Sequence, residues 1–221
     1  MAATETTPDG RSSRWDGHRL ARREELVEAT LHAIREHGAR VGMEEVAATA
    51  RTSKTVFYRH FTDRAGLYLA VADRVDATII RDLTRAAGDP APTDARAVIR
   101  AVIAAYLRLV EEDPEVYRFI VHAPLVPPGE RPEGDVAAGM TDRIAAHVAD
   151  LVAGGLADAA TAPGSARLWG VALVGMVRAT ADAWLAAGGA SAGPSSGELA
   201  DDLTSLVWDG LSALAGPPPQ G

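Results

Sequence analysis

Apolar residues recur along most of this chain at steps of three and four, while strict alternation of period two is scarce. That spacing predicts helices and almost no strand. Over residues 19–37, Leu26, Val27, Thr30, Leu31, Ala33 and Ile34 form one stripe, and Gly38 is a natural stop after it. Residues 43–61 read as two short helices about a tight turn. Val46, Ala47 and Ala50 share the first face, Arg51 and Thr52 break the pattern, and Ser53 is a good N-cap for the second helix. Phe57 and Phe61 lie four apart and face inward, which leaves Lys54, Thr55, Tyr58 and Arg59 outside.

A long helix is then expected over 63–87, capped by Asp63 and carrying Leu67, Ala70, Val71, Val75, Ile79 and Leu83. Further helices are expected over 93–112, 114–122, 135–156, 165–187 and 198–215. Four prolines and two glycines make 123–134 a loop, 154–164 weakens helical order, and 188–197 reads as a flexible Gly/Ser/Ala/Pro segment. In the helix over 165–187, the small residues Ala172, Gly175 and Ala179 recur at three- and four-residue steps, a strip that lets another helix approach closely. The ends, 1–18 and 217–221, read as disordered.

Composition narrows the class. With 221 residues the chain can bury a sizeable core. It has no cysteine, which excludes disulfides and thiolate-bound metals. No apolar run approaches the roughly 20 residues a membrane span needs, and the N-terminus lacks a secretory apolar stretch, so a cytoplasmic protein with no membrane partner is expected. The net charge of −8 is unevenly placed. Residues 11–64 hold eleven basic and eight acidic side chains, whereas 65–221 hold eleven and twenty. The positive excess is concentrated near the helical pair, as phosphate contact requires.

That pair suits a DNA major groove: the second helix holds the core with one side and shows polar, basic and aromatic groups on the other. Two helices about a turn also occur in ordinary bundles. The stretch TSKTVFYRHFTDRAGLYLAV resembles the end of the helix-turn-helix and the next helix of TetR-type transcriptional regulators. Its marks are the TSK opening, the aromatic-Tyr-Arg-His-Phe run and the acidic-basic start of the following helix, and the likeness is closest over residues 22–71. It implies a fold that is all-α: a helix-turn-helix domain over 19–62 and a helical effector-binding and dimerisation domain over 63–216. Thr52, Ser53, Lys54, Thr55, Val56, Tyr58, Arg59 and His60 fall on positions that often face DNA in that family, and Arg64 on one that commonly reaches phosphate. Arg51 departs from the pattern, since such turns usually have glycine there for a positive φ.

No catalytic or cofactor pattern emerges. There is no HExxH, GxSxG, P-loop or GxGxxG after a strand, so no enzyme, cofactor or metal is expected. The resemblance implies a ligand pocket. Tyr106, Tyr117, His122, Trp169, Met176, Arg178 and Trp184 are its candidates, each equally readable as core or surface, with Arg178 also placed for an i,i+4 pair with Asp182. The expected protein is a DNA-binding regulator, a repressor released from a double-stranded operator by a small hydrophobic effector. It is expected to be a homodimer through the helices over 165–187 and 198–215. The rival readings are an effector-independent DNA-binding regulator and a small-molecule-binding helical protein without DNA function.

Overall fold

The computed structural model describes residues 10–88, 95–122, 136–155 and 165–212, and these are helical with short connections. In chain order the helices are α1 (Gly10–His37), α2 (Met43–Thr49), α3 (Lys54–Phe61), α4 (Arg64–Gly88) and α5 (Ala95–Glu112). They continue with α6 (Pro114–His122), α7 (Val136–Gly155), α8 (Ser165–Ala186) and α9 (Ser196–Ser212). The loop expected over 123–134, most of 154–164, and both chain ends fall outside the described residues. Gly154 and Gly155 do not interrupt α7, which runs through them.

The first correction concerns α1. Residues 10–18, expected as part of a disordered arm, are helical and continuous with the stripe that follows. No proline lies between Gly10 and His37. Gly17 costs only about 1 kcal/mol relative to alanine, too little to interrupt a helix already propagating.

Helices α1 to α3 close around Leu26, Ile34, Val46, Phe57 and Phe61, all buried. Only Thr62 and Asp63 separate α3 from α4. Asp63 accepts from the Gly66 amide at 2.7 Å and so caps α4, as expected. A Cβ on Gly66 would lie 1.9 Å from the Phe61 carbonyl oxygen, so this junction is built on a bare Cα. Helix α4 then runs out of the first unit and packs on α5 and α7. The buried residues form one continuous core from Leu26 to Leu203, crossing the boundary expected at 62/63 without a linker.

In the second unit α7 packs on α8 and α9 on α5. Gly170 of α8 is where the first pair approaches closely: a Cβ there would lie 2.3 Å from the Ala145 carbonyl oxygen. Ala172, Gly175 and Ala179 instead face outward, with open space around Gly175. Leu168 is 70% and Leu206 64% exposed, so α8 and α9 each leave an apolar face uncovered. The connection between these helices is not the flexible segment expected. It holds a 3-10 turn, Gly189–Ser191, and its Pro194 carbonyl accepts from the buried Trp184 indole at 2.9 Å.

Among the described residues one helix, over Arg167–Ala186, is long and apolar enough by length and composition to cross a membrane, which corrects the expectation that none is. It carries Arg178 and Asp182, both engaged in polar contacts within the fold.

Candidate nucleic-acid interface and central cavity

The short helix α3 owes its orientation to two rings. Phe57 and Phe61 are buried, stacked at 6.1 Å between centroids, and pin one side of the helix to the core. At 100° per residue the opposite side then carries Ser53, Lys54, Thr55 and Arg59, all exposed, with Thr52, Val56, Tyr58 and His60 half-buried at its margins. Ser53 has extended N-cap geometry (φ −104°, ψ 156°), but its hydroxyl makes no capping hydrogen bond, contrary to the cap expected. Its oxygen stays on the outer surface.

The turn before α3 has the conformation its position demands. Arg51 has φ 50°, in the left-handed region that glycine adopts without strain. Thr62, just after α3, also has a positive φ of 68°, which no sequence signal announced.

Electrostatics around α3 are basic but not free of acid. Lys54 donates to Glu44 of α2 at 2.7 Å, and that contact holds the Glu44 carboxyl below its ordinary value. Tyr58 Oη lies 3.4 Å from Arg64 Nε, a long contact that places both groups at the α3–α4 corner. Arg23 of α1 has a structural role that spacing did not reveal. Its Nη1 donates to the His60 carbonyl at 2.8 Å and its Cζ lies 4.5 Å over the Phe61 ring. It ties the end of α3 to α1. Burial lowers the His60 pKa, and the nearby Arg59, Arg22, Arg19 and Arg23 lower it further. The corner between α1 and α3 is therefore cationic, although Arg22 also pairs with Glu25 at 2.7 Å.

Two further contacts join this unit to the start of α6, and one joins α4 to α6. Arg35 Nη2 and Nε donate to Asp113 at 2.7 and 2.8 Å, the Ala39 amide donates to Glu115 at 2.7 Å, and the buried Tyr68 hydroxyl donates to the Ile120 carbonyl at 2.7 Å. Arg74 of α4 also reaches Glu28 of α1 at 2.6 Å.

The second unit contains a small cavity of about 50 Å³. It lies among α4 (Val75, Ile79), α5 (Tyr106), α6 (Tyr117, Ile120, Val121), α7 (Met140, Thr141, Ile144) and α8 (Arg178). The structure thus brings three of the seven candidate pocket residues, Tyr106, Tyr117 and Arg178, to one wall. Trp169, Met176 and Trp184 line none of the cavities described, Trp184 because it anchors the α8–α9 connection. The side chain of His122 lies outside the described residues. Sequence reasoning missed Val75, Ile79 and Ile144 as lining residues, because a periodic aliphatic looks the same whether it faces a neighbour or a void.

Tyr106 and Ile144 also border a second, smaller space of about 20 Å³, lined otherwise by aliphatic side chains that include Leu83, Val102, Ile103, Leu173 and Val177. Tyr117 donates to Asp182 at 2.6 Å, so Asp182 does not form the i,i+4 pair with Arg178. Arg178 donates instead to the Thr141 hydroxyl at 3.1 Å. Burial pushes the Tyr106 phenol up to about 12 and raises that of Tyr117 as well, so both are neutral donors at physiological pH. Among the described residues no group of three or more His, Asp or Glu could hold a metal ion.

The sequence matches two family models. Residues 26–71 match the model described as bacterial regulatory proteins, tetR family, and residues 83–218 match the tetracyclin repressor-like C-terminal domain. An HTH-type transcriptional regulator of Mycobacterium tuberculosis, Rv0472c, is 33% identical over 215 residues, which cover 97% of this chain and 87% of the relative. A TetR-family regulator from Streptomyces coelicolor superposes with a TM-score of 0.68 at 19% identity, covering 88% of this chain and 82% of the other. FadR from Bacillus subtilis, solved in complex with stearoyl-CoA, superposes at 0.59 with 14% identity, covering 83% and 96%. The fold of both structures is this fold. A helix-turn-helix held by Phe57 and Phe61, a helical second unit, and matches to both family models together show that this chain belongs to the TetR family of transcriptional regulators.

Proposed function

We propose that the protein is a repressor that holds a double-stranded operator with the outward side of α3 and leaves it when a small, apolar ligand fills the cavity between α4 and α8. The observation that carries the DNA half is the placement of Lys54, Thr55 and Arg59 on the open side of a helix whose other side is fixed by Phe57 and Phe61. In this reading Lys54 and Arg59 donate to guanine edges or phosphates, Thr52, Ser53 and Thr55 hydrogen-bond at the groove, and Val56 meets a thymine methyl. Tyr58, His60 and Arg64 contact backbone oxygens. Lys54 exchanges Glu44 for DNA on binding.

A homodimer through α8 and α9 is part of the proposal. One short recognition helix makes too few contacts for a specific site, and two must reach successive major grooves about 34–36 Å apart. The uncovered Leu168, Ala172, Gly175 and Ala179 on α8, and Leu206 on α9, support that pairing. The division at residues 62/63 into a DNA-reading and an effector-binding, dimerising unit belongs to the same reading. The nearly apolar cavity supports an apolar effector, and the structural likeness to a FadR that holds stearoyl-CoA agrees with it.

The test is DNA affinity of the Lys54→Ala, Tyr58→Ala double variant against wild type, on fragments selected from the genome by the bound protein, across a salt series. The expected result is a loss of about tenfold or more in affinity and a shallower salt slope. Unchanged affinity and slope would end the assignment of α3 to DNA.

A further inference from the structure

A cleft of about 230 Å³ lies where α1 meets α4, α5 and α6. It shares Val75, Ile79, Tyr106 and Tyr117 with the central cavity, but it lies on the side of α1 and is several times larger. Leu31 of α1, Val75 and Ile79 of α4, Leu109 and Val110 of α5 and Val116 of α6 make its apolar surface. Tyr106 and Tyr117 add two aromatic rings, and the Tyr117 hydroxyl is already spent on Asp182 at 2.6 Å. The polar side chains at its border are spent as well. Arg35 holds Asp113 at 2.7 and 2.8 Å, and Arg74 holds Glu28 at 2.6 Å and Thr78 at 3.1 Å. Arg81 holds Asp82 at 3.2 Å, a carboxylate that Arg85 shares. Glu28, Arg35, Arg74 and Arg81 are exposed, so paired charges make a solvent-facing mouth to an apolar interior.

We propose that this cleft is a binding site for an uncharged aromatic molecule of about two fused rings. The site is separate from the effector cavity proposed above and does not rest on it. Size sets the ring count: an apolar cavity of about 150 Å³ takes one benzene ring, so a cleft of about 230 Å³ takes about two. The charge balance of the mouth selects a neutral ligand. Each charged side chain lining the cleft already has a partner, so an ion entering it would give up hydration and meet only occupied groups. Two features select an aromatic over a saturated ring. Tyr106 and Tyr117 offer ring surface to stack against. A guanidinium that binds a carboxylate along its edge, as Arg35 does through Nε and Nη2, keeps its flat face free to lie on a ring. Leu31 sits on the helix that packs against α2 and α3, so an occupant of the cleft touches the helix-turn-helix unit and the second unit at once.

The test titrates 2-naphthol into the full, DNA-free, methyl-labelled protein and follows it by NMR, with NOEs from the naphthol ring protons. Binding is expected to saturate at one per chain. The NOEs are expected at the methyls of Leu31, Leu109 and Val110, which line the cleft and neither inner space. The saturated counterpart 2-decalol is expected to bind about fivefold more weakly, as the loss of ring-on-ring contact requires. The anion 2-naphthoate and the cation 2-naphthylmethylammonium are expected to bind more weakly than 2-naphthol too. Leu109→Trp, which fills the cleft from the half-buried wall of α5, is expected to abolish saturable binding. Non-saturable uptake, equal or tighter binding of 2-decalol or of either ion, or undiminished binding by Leu109→Trp would each overturn the proposal. NOEs to Met140 and Ile144 in place of the cleft methyls would overturn it as well, while upholding the central cavity as a ligand site. The wild-type NOEs and the order of affinities decide the matter even if the variant fails to fold.

Discussion

Arg51 holds the turn between α2 and α3 at φ 50°, a conformation that costs a non-glycine residue about 1–2 kcal/mol. Glycine would relieve that strain but loses about 0.5–1 kcal/mol more backbone entropy on folding. Arg51→Gly is therefore expected to stabilise the protein by up to about 1 kcal/mol, read as a higher midpoint in urea at unchanged slope. Gly66 is the opposite case: with the Phe61 carbonyl 1.9 Å from an added Cβ, Gly66→Ala must shift backbone at the α3–α4 corner. A loss of more than 2 kcal/mol is expected, in the upper range for point changes. His60 adds a pH signature. Its native pKa lies below 6.5, so on acidification the unfolded chain takes up this proton first. Stability from this site is constant above about pH 6.5 and falls as the pH drops toward the native value. In a pH series of thermal melts, His60→Gln should lose less stability than wild type across that window. An equal loss would mean that neither burial nor the arginines depress this ring.

At the scale of elements, α4 is held to α7 by a half-buried pair. The Arg143 Nε lies 2.6 Å from Asp76, whose carboxylate is 5% exposed and keeps one oxygen, Oδ1, without a hydrogen-bond partner. Removing the arginine strands a buried charge, whereas replacing both groups with apolar ones removes the problem. Arg143→Met alone is expected to cost about 3 kcal/mol and the double change Asp76→Leu, Arg143→Met much less, which a double-mutant cycle measures. Equal losses in both would show that the pair is not what Arg143 contributes. Helix α6 has a different place. It puts Tyr117 on the cavity wall, and its start holds Arg35 of α1 and the turn after α1 through Asp113 and Glu115. In the sequence only α4 shows itself as a helix long enough to span the two units. The α6 contacts join residues 76 and 78 apart in the chain, beyond the reach of any periodicity. Nearly every helix was legible within three residues from stripe, cap and breaker, and α1 was the exception because a polar helix end has no apolar stripe to announce it.

For the whole molecule, the uncovered faces of α8 and α9 make a prediction about assembly. Leu168→Glu with Leu206→Glu places charge where the proposed pairing would bury it, at residues already solvent-facing in one chain. The folded monomer should lose little, while sedimentation shows dissociation and specific DNA affinity falls with it. A variant that stays dimeric would move the interface elsewhere.

The α3 surface was readable from residues alone, because Phe57 and Phe61 four apart decide which side of eight residues turns inward and so which turns out. Helical spacing is a local property, and local properties survive in sequence. The helix order and the caps at Asp63 and Gly38 followed from the same short-range rules, whereas a positive φ at Arg51 was implied only by the family resemblance. The cavity did not. Tyr106, Tyr117, Thr141 and Arg178 come from four helices, and whether an aliphatic such as Ile144 meets a neighbour or an opening depends on how those helices cross. Nor does spacing say that Asp182 serves Tyr117 rather than Arg178, or that Gly170 and not Gly175 marks the close approach of α8. Those outcomes are set by which of several equally spaced side chains packing leaves in reach, and only the tertiary structure makes that choice.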